Sequence, residues 1–353
     1  NSRVDELVGE LVKVISDFRP KKVLVQTTHS DLPFLVTILL LNGLVESFFV
    51  DIADHAFWIG SSYFDYYLEF RNHGYNIARI SRGVEPRKLI ILPYYPIVDF
   101  SVPFQGLDCL GKEQKLIFSG GYLNKIYGDT LYFELVKKIL NKYNNVIILY
   151  AGNGDDSKLR SFIDDNRFNK QFFYTKERYD FIHLMEKCCF FLNTYPLAGG
   201  LMSQYAVCCG KIPLGLKDAN FPIHDFESVF LDTKGYKYSY SSINELCNEI
   251  EKLLCDDDYR LKRECQLTGM VISPETFTDE LYNALEKKVN MFNPRIEEID
   301  TTVEKELYIY RENNVLKSYR SFYVRKNYVR LSLGFPGYFV PGAIKKIITK
   351  YRQ

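Results

Sequence analysis

The sequence predicts an α/β protein made of two Rossmann-like domains and a C-terminal extension. Short apolar runs that read as strands alternate with stretches of helical periodicity from about residue 20 to residue 290. The length, 353 residues, exceeds what one compact core usually serves. In the second half, three strand-like runs end in glycine pairs or near pairs: Gly120-Gly121, Gly152/Gly154 and Gly199-Gly200. Ligands of doubly wound sheets sit outside the carboxyl ends of the strands, where such loops lie.

The elements follow in order. Val4, Leu7, Val8, Leu11, Val12 and Ile15 mark a first helix, and Lys22–Thr27 a strand. Ser30 or Asp31 caps a helix that has Pro33 in its first turn and ends near Asn42-Gly43. Glu46–Ile52 reads as a strand, Tyr63–Asn72 as a helix stopped at Gly74, and Ile77–Ser81 and Lys88–Leu92 as strands. The aperiodic stretch Val98–Lys115 holds a domain boundary, giving residues 1–110 and 111–291, with 292–353 as the extension. In the second domain, strands are expected at Lys115–Phe118, Val146–Tyr150, Gln171–Tyr174, Cys189–Leu192, Ile212–Leu214 and near Val229–Leu231. Helices are expected at about Asp129–Tyr143, Ser157–Asp165, Tyr179–Lys187, Leu201–Cys209, Ile243–Leu254, Asp257–Met270 and Pro274–Met291.

Composition narrows the function. A net charge of +1 leaves no overall basic field, which argues against nucleic acid as the main partner. Residues 311–353 carry ten Lys/Arg against Glu312 alone, a net +9, so the preceding 310 residues carry −8. The eight cysteines contain no C-x-x-C and lie largely in apolar runs, as expected of small hydrophobes in a reducing cytoplasm. Arg3, Asp5, Glu6 and Glu10 break up the start, unlike a signal peptide. Leu32–Val45 spans about 14 apolar residues, short of the roughly 20 needed to cross a bilayer.

The stretch Cys188–Leu216 runs from strand to Gly-Gly turn to helix. A helix start of this kind offers free N–H groups and a favourable dipole to a phosphate; an ordinary turning loop is the competing reading. Together with Ser119-Gly-Gly-Tyr-Leu-Asn-Lys125-Ile126, IILYAGNG and LNTYPLAGG, it resembles the C-terminal half of a GT-B glycosyltransferase, most similar to the bacterial adhesin N-glycosyltransferase and O-GlcNAc transferase branch. Asp54-His55-Ala-Phe-Trp58-Ile-Gly60, Asp65-Tyr66, Glu69-Phe70-Arg71 and Pro93-Tyr94-Tyr95-Pro96 look like blocks of the first domain of such enzymes. The resemblance covers about Lys21 to Met291 and implies two domains facing each other across a cleft that binds a nucleotide sugar, UDP-linked, as substrate, with no cofactor.

The resemblance also implies roles. Lys125 would neutralise the donor diphosphate, and Gly120, Gly121, Thr194, Gly199, Gly200 and Ser203 would line it, Gly199, Gly200 and Ser203 supplying donors. Asn193 stands where the family usually has Asp and would orient by hydrogen bonding. Gly152, Gly154 and Tyr174 would lie near base and ribose. On the acceptor side His55 is the candidate general base or diphosphate donor, with Asp54 fixing its tautomer; a structural histidine is the competing reading. Trp58, the single tryptophan, would stack on a sugar or fill the core, and His29 would line the cleft. His73, His183 and His224 read as structural. The Glu pair of many retaining GT-B enzymes is absent, with Leu197 and Tyr205 at the nearest positions, which favours inversion. No D-x-D precedes the sugar site, so no metal is expected.

In the extension, Phe335, Tyr338, Phe339, Val340, Ile344, Ile347 and Ile348 beside Lys345, Lys346 and Lys350 suit an anionic membrane surface, or pack on the first domain. The expected acceptor is a cell-surface glycan, a lipid-linked glycan or a protein, met in the cytoplasm or at the inner membrane face; self-association stays open. A non-catalytic partner subunit and a nucleotide-sugar epimerase are the alternative functions.

Overall fold

A computed structural model describes residues 4–27, 31–54, 60, 63–107, 110–111, 113–218 and 225–310. His29, His55, Trp58, His224 and the basic tail 311–353 lie outside the described residues. The chain divides into two compact units between Glu298 and Ile299, and the second contains helix α11 (Thr301–Tyr310).

The first unit holds two parallel sheets. The first contains β1 (Lys22–Val25), β2 (Glu46–Asp51), β3 (Tyr66–Glu69) and β4 (Leu89–Ile91), side by side in chain order. Helices α1 (Val4–Phe18), α2 (Leu32–Leu40) and α3 (Asn72–Ile80) accompany them, α2 opening with Asp31 accepting the Phe34 N–H. Alternate strand residues face opposite sides. Phe49, Tyr67, Leu89 and Ile91 pack with Leu35, Ile38, Tyr75 and Ala78, while Phe48, Leu68 and Ile90 pack with Ala284 and Leu281.

Two sequence expectations fail here. The segment read as a helix from Tyr63 contains β3, whose aromatic and apolar residues gain more by filling a sheet between β2 and β4. The run read as a strand at Ile77–Ser81 is the end of α3, and Gly74 sits inside that helix. A Cβ on Gly74 would lie 2.4 Å from Glu69 Oε2 and 3.0 Å from Asp54 Cβ, so the glycine admits buried side chains instead of stopping a helix.

The second sheet contains β5 (Lys115–Gly120), β6 (Val146–Ala151), β7 (Phe172–Thr175), β8 (Phe190–Leu192), β9 (Pro213–Leu216) and β10 (Ser239–Tyr240), in the order β7-β6-β5-β8-β9-β10. Helices α4 (Leu131–Lys142), α5 (Ser157–Asp165) and α8 (Ile243–Cys255) pack on one face, α6 (Phe181–Lys187) and α7 (Gly200–Cys208) on the other. The strand expected at Val229–Leu231 is displaced: Phe226–Val229 forms a 3-10 turn, and the sixth strand is Ser239–Tyr240. Asp225 caps that turn and Glu227 takes the Tyr238 and Ser239 N–H groups, so polar side chains hold this edge. Chain order reverses direction between β5 and β8, which puts the loops after these two strands on either side of a crevice.

After α9 (Asp257–Cys265), helix α10 (Pro274–Tyr282) returns to the first sheet, continuing as a π-turn over Asn283–Lys287 in place of the longer α-helix expected. Lys288 closes the turn in the left-handed region and pairs with Glu46 at 2.7 Å.

Two glycines separate packing from propensity. A Cβ on Gly152 would sit 1.9 Å from the Gly121 carbonyl oxygen, whereas Gly9 in α1 has nothing within 4 Å. Gly152→Ala is therefore expected to cost about 1–3 kcal/mol or more, and Gly9→Ala to add about 0.5–1 kcal/mol. Urea midpoints of the two variants check both signs.

Candidate active site

The crevice begins with Lys125. Its 3-10 turn, Leu123–Ile126, is pinned by the fully buried Leu123 and Ile126, which leaves the lysine between them directed to the rim. A Cβ on Gly121 (φ 141°) would touch Lys125 Cδ at 3.6 Å and Thr194 Cγ2 at 3.8 Å, so the alkyl stem runs across both. Nζ ends 3.8 Å from the point where a Cβ on Gly199 would stand. Burial pushes the Lys125 ammonium below its ordinary range, and no acidic or hydrogen-bonding partner meets it among the described residues.

Across the crevice, buried Asn193 organises the turn from β8 to α7. Its Oδ1 accepts the N–H groups of Gly199 and Thr194, both at 2.8 Å, and its Nδ2 donates to Ser203 Oγ at 2.7 Å and Gly199 O at 3.3 Å. Thr194 Oγ1 donates to Leu197 O at 2.7 Å, and the Leu197 N–H donates to Lys125 O. Ser203 N–H donates to Gly199 O as the first intrahelical bond, so the N–H groups of Gly200, Leu201 and Met202 have no acceptor within the helix.

Two expected phosphate donors are thereby corrected. The Gly199 N–H is held by Asn193, and Ser203 is fully buried with its hydroxyl donating to Gly199 O at 3.1 Å. Both build the loop, and Gly200 is the expected residue whose N–H stays available.

A cavity of about 210 Å³ opens beside the crevice, lined by Gly121, Tyr122, Gly152, Glu177, Tyr179 and Met202 among others. It is smaller than the roughly 300–1,000 Å³ of sites that enclose whole ligands and suits one ring system. Tyr174 lies outside it, donating its hydroxyl to Gly152 O at 3.1 Å, and Gly154 packs against Leu123. A Cβ on Gly120 would lie 2.7 Å from Ala151 O, so Gly120 and Gly154 serve strand-end packing, while Gly152 lines the cavity and also admits the Gly121 carbonyl. Glu177 and Tyr179 went unassigned in the sequence, although they follow β7 at the same rim as the glycine loops.

No protein-family model and no curated protein sequence matches the chain. Solved structures do. Staphylococcus aureus TarM in complex with fondaparinux, alpha-GlcNAc-glycerol and UDP superposes with a TM-score of 0.61 over 79% of this chain and 59% of that one, at 13% identity. Anabaena HepE in complex with UDP and glucose gives 0.58 over 79% and 81%, at 11% identity. UDP-GlcNAc 2-epimerase from Neisseria meningitidis bound to UDP-GlcNAc gives 0.51 over 79% and 80%, at 12% identity. The fold is GT-B.

The first sheet of this GT-B fold ends in buried charge. Asp54 is wholly buried and held by the Arg71 fork, Nε to Oδ2 at 2.5 Å and Nη2 to Oδ1 at 2.8 Å. Burial would raise its carboxyl, but Arg71 outweighs that and leaves it below the usual range. Asp54 was expected to steer His55; its carboxylate is engaged by Arg71, so it anchors the chain immediately before that histidine. Arg82 donates to Asp51 at 3.1 Å and to Asp54 O at 2.8 Å. His183, expected to be structural, packs its ring on Phe100 and Phe104, with Nε2 3.0 Å from Val102 O.

Asp51 and Glu69 are register partners on β2 and β3. Burial pushes Asp51 up to about 6, against Arg82; burial and the charge of Asp51 hold Glu69 well above its ordinary range. Neither carboxylate oxygen of Glu69 has a hydrogen-bond partner among the described residues. A raised acid binds more protons folded than unfolded, so its stabilising contribution is complete below about pH 4 and is lost as pH rises through about 6. Glu69→Gln, which cannot ionise, is expected to gain stability relative to the parent chain as pH rises above the ordinary carboxylate range. Urea midpoints of both proteins from pH 4 to 8 test the trend.

Proposed function

We propose that the chain is a glycosyltransferase that moves a sugar from a UDP-linked donor to a glycan, lipid-linked glycan or protein acceptor, without metal and with inversion. The observation that carries this reading is the half-buried Lys125 cation, unpartnered among the described residues, beside the α7 N-terminus. Such a pairing suits a diphosphate: the helix start supplies oriented N–H groups, and the lysine supplies a point charge. TarM and HepE, crystallised with UDP, support the nucleotide.

In the transfer, the bond between the anomeric carbon and the terminal diphosphate oxygen breaks, and negative charge grows on UDP. Lys125 and the N–H groups of Gly200, Leu201 and Met202 stabilise that charge from fixed positions. The cavity below Tyr122 and Tyr179 takes the base, with Glu177 at its edge. His55 takes the proton of the attacking acceptor hydroxyl or amide; this role rests on the sequence, where His55 follows the anchored Asp54. The basic, aromatic residues 311–353 bring the protein to an anionic inner membrane face, a reading that also rests on sequence alone.

Lys125→Met removes the charge and keeps the stem. UDP is expected to raise the thermal midpoint of the parent chain more than GDP or CDP does, and the shift should shrink in the variant. Donor turnover should fall by roughly 10²–10³-fold. An unchanged UDP shift in Lys125→Met would remove the basis of the proposal. The Neisseria epimerase gives a second reading, distinguished by mass-neutral conversion of a UDP-sugar with no acceptor present.

A further inference from the structure

Arg71 spans the two sheets. Its Nε and Nη2 grip Asp54, while Nη1 donates to Ser228 Oγ at 2.7 Å in the 3-10 turn of the second sheet's edge. That turn is firmly based: Asp225 accepts from Ser239 Oγ and pairs with Lys217, and Glu227 accepts from Tyr238 and Ser239. Ser228 Oγ itself donates to Asp225 O at 2.8 Å.

The next residue reaches the anion seat. A Cβ on Gly200 would lie 2.8 Å from Val229 Cγ1, so Val229 abuts the first residue of α7. Buried Gln204, one turn along α7, donates to Val229 O at 3.3 Å and to Tyr94 O at 3.2 Å. A small cavity of about 110 Å³ beside the Arg71–Ser228 clasp is lined by Arg71, Pro93, Ser228 and Val229. One connected set of contacts thus runs from Asp54 through Arg71, Ser228 and Val229 to the helix start.

We infer that Arg71 is a positioning residue whose bond to Ser228 sets the spacing between Asp54, just after β2 of the first sheet, and the phosphate seat at Gly200. The inference rests on the transferase reading for its catalytic consequence, but the spacing is a property of the fold. Arg71 does not touch the reacting atoms; it acts through the elements it joins. A hydroxyl at 228 is sufficient for the bond, because Arg71 donates all three hydrogen bonds named here.

Ser228→Ala breaks the bond between the sheets and leaves the Asp54–Arg71 pair in place, whereas removing Arg71 would strand a buried carboxylate. Small-angle scattering of the nucleotide-free variant is expected to show a larger radius of gyration than the parent chain, and Ser228→Thr is expected to restore the parent value. In turnover, Ser228→Ala should lower kcat about tenfold with UDP affinity kept within about twofold. An unchanged scattering profile overturns the clasp whether or not a donor is turned over. A loss of UDP affinity that matches the loss of turnover also overturns it. An expanded profile in a chain that turns over no donor supports the clasp and removes only the transferase reading.

Discussion

The amide of Asn193 fixes the turn from β8 to α7 that forms one side of the crevice. It is almost wholly buried, and both of its polar atoms are engaged, so removing the amide would leave the N–H groups of Gly199 and Thr194 without their acceptor, at about 1–3 kcal/mol for each buried group. These bonds draw Gly199 back onto the end of β8, and α7 can then begin only at Gly200. The Leu197 N–H bond to Lys125 O ties the same turn to the loop after β5. The lysine and the helix start are therefore neighbours through the backbone, before any ligand arrives. Preorganisation of this kind avoids reorganisation when charge develops on a bound anion.

Burying a lysine without a counter-charge is unfavourable, and burial accordingly weakens the proton affinity of Lys125. A structural lysine would have been paired, as Lys288 is with Glu46 and Lys217 with Asp225. The first sheet shows the complementary solution, in which buried charges are matched by fork-shaped guanidinium groups at Asp54 and Asp51. The two sheets thus treat charge differently at their carboxyl ends. One is closed by ion pairs, and the other is left with an open cation.

The second sheet was the more legible half in the sequence. Its strands are continuous apolar runs buried on both faces, such as Val146–Ala151, and helices with clear periodicity separate them. Around residues 63–81 the same logic misled, because short apolar runs do not reveal their period and Gly74 looked like a helix stop. Its real constraint is the buried Glu69 carboxyl at the end of β3 and the Asp54 side chain, which helical periodicity does not record. The candidate site divides in the same way. Lys125, Asn193 and the Gly199-Gly200 turn stood out in the sequence, but the structure alone shows that Gly152 answers to a neighbouring backbone and Ser203 to an amide. Arg71, quoted as part of a motif, had no visible role until Ser228, 157 residues later, was placed against it.

The central claim is that this crevice is built for a diphosphate. Calorimetric titration of the full chain with UDP, UMP and uridine tests it directly. The account predicts that affinity rises steeply from uridine to UDP and that the second phosphate adds about tenfold or more, equivalent to about 1.4 kcal/mol. Equal affinity for uridine and UDP would contradict it, because binding would then owe nothing to Lys125 or to the start of α7.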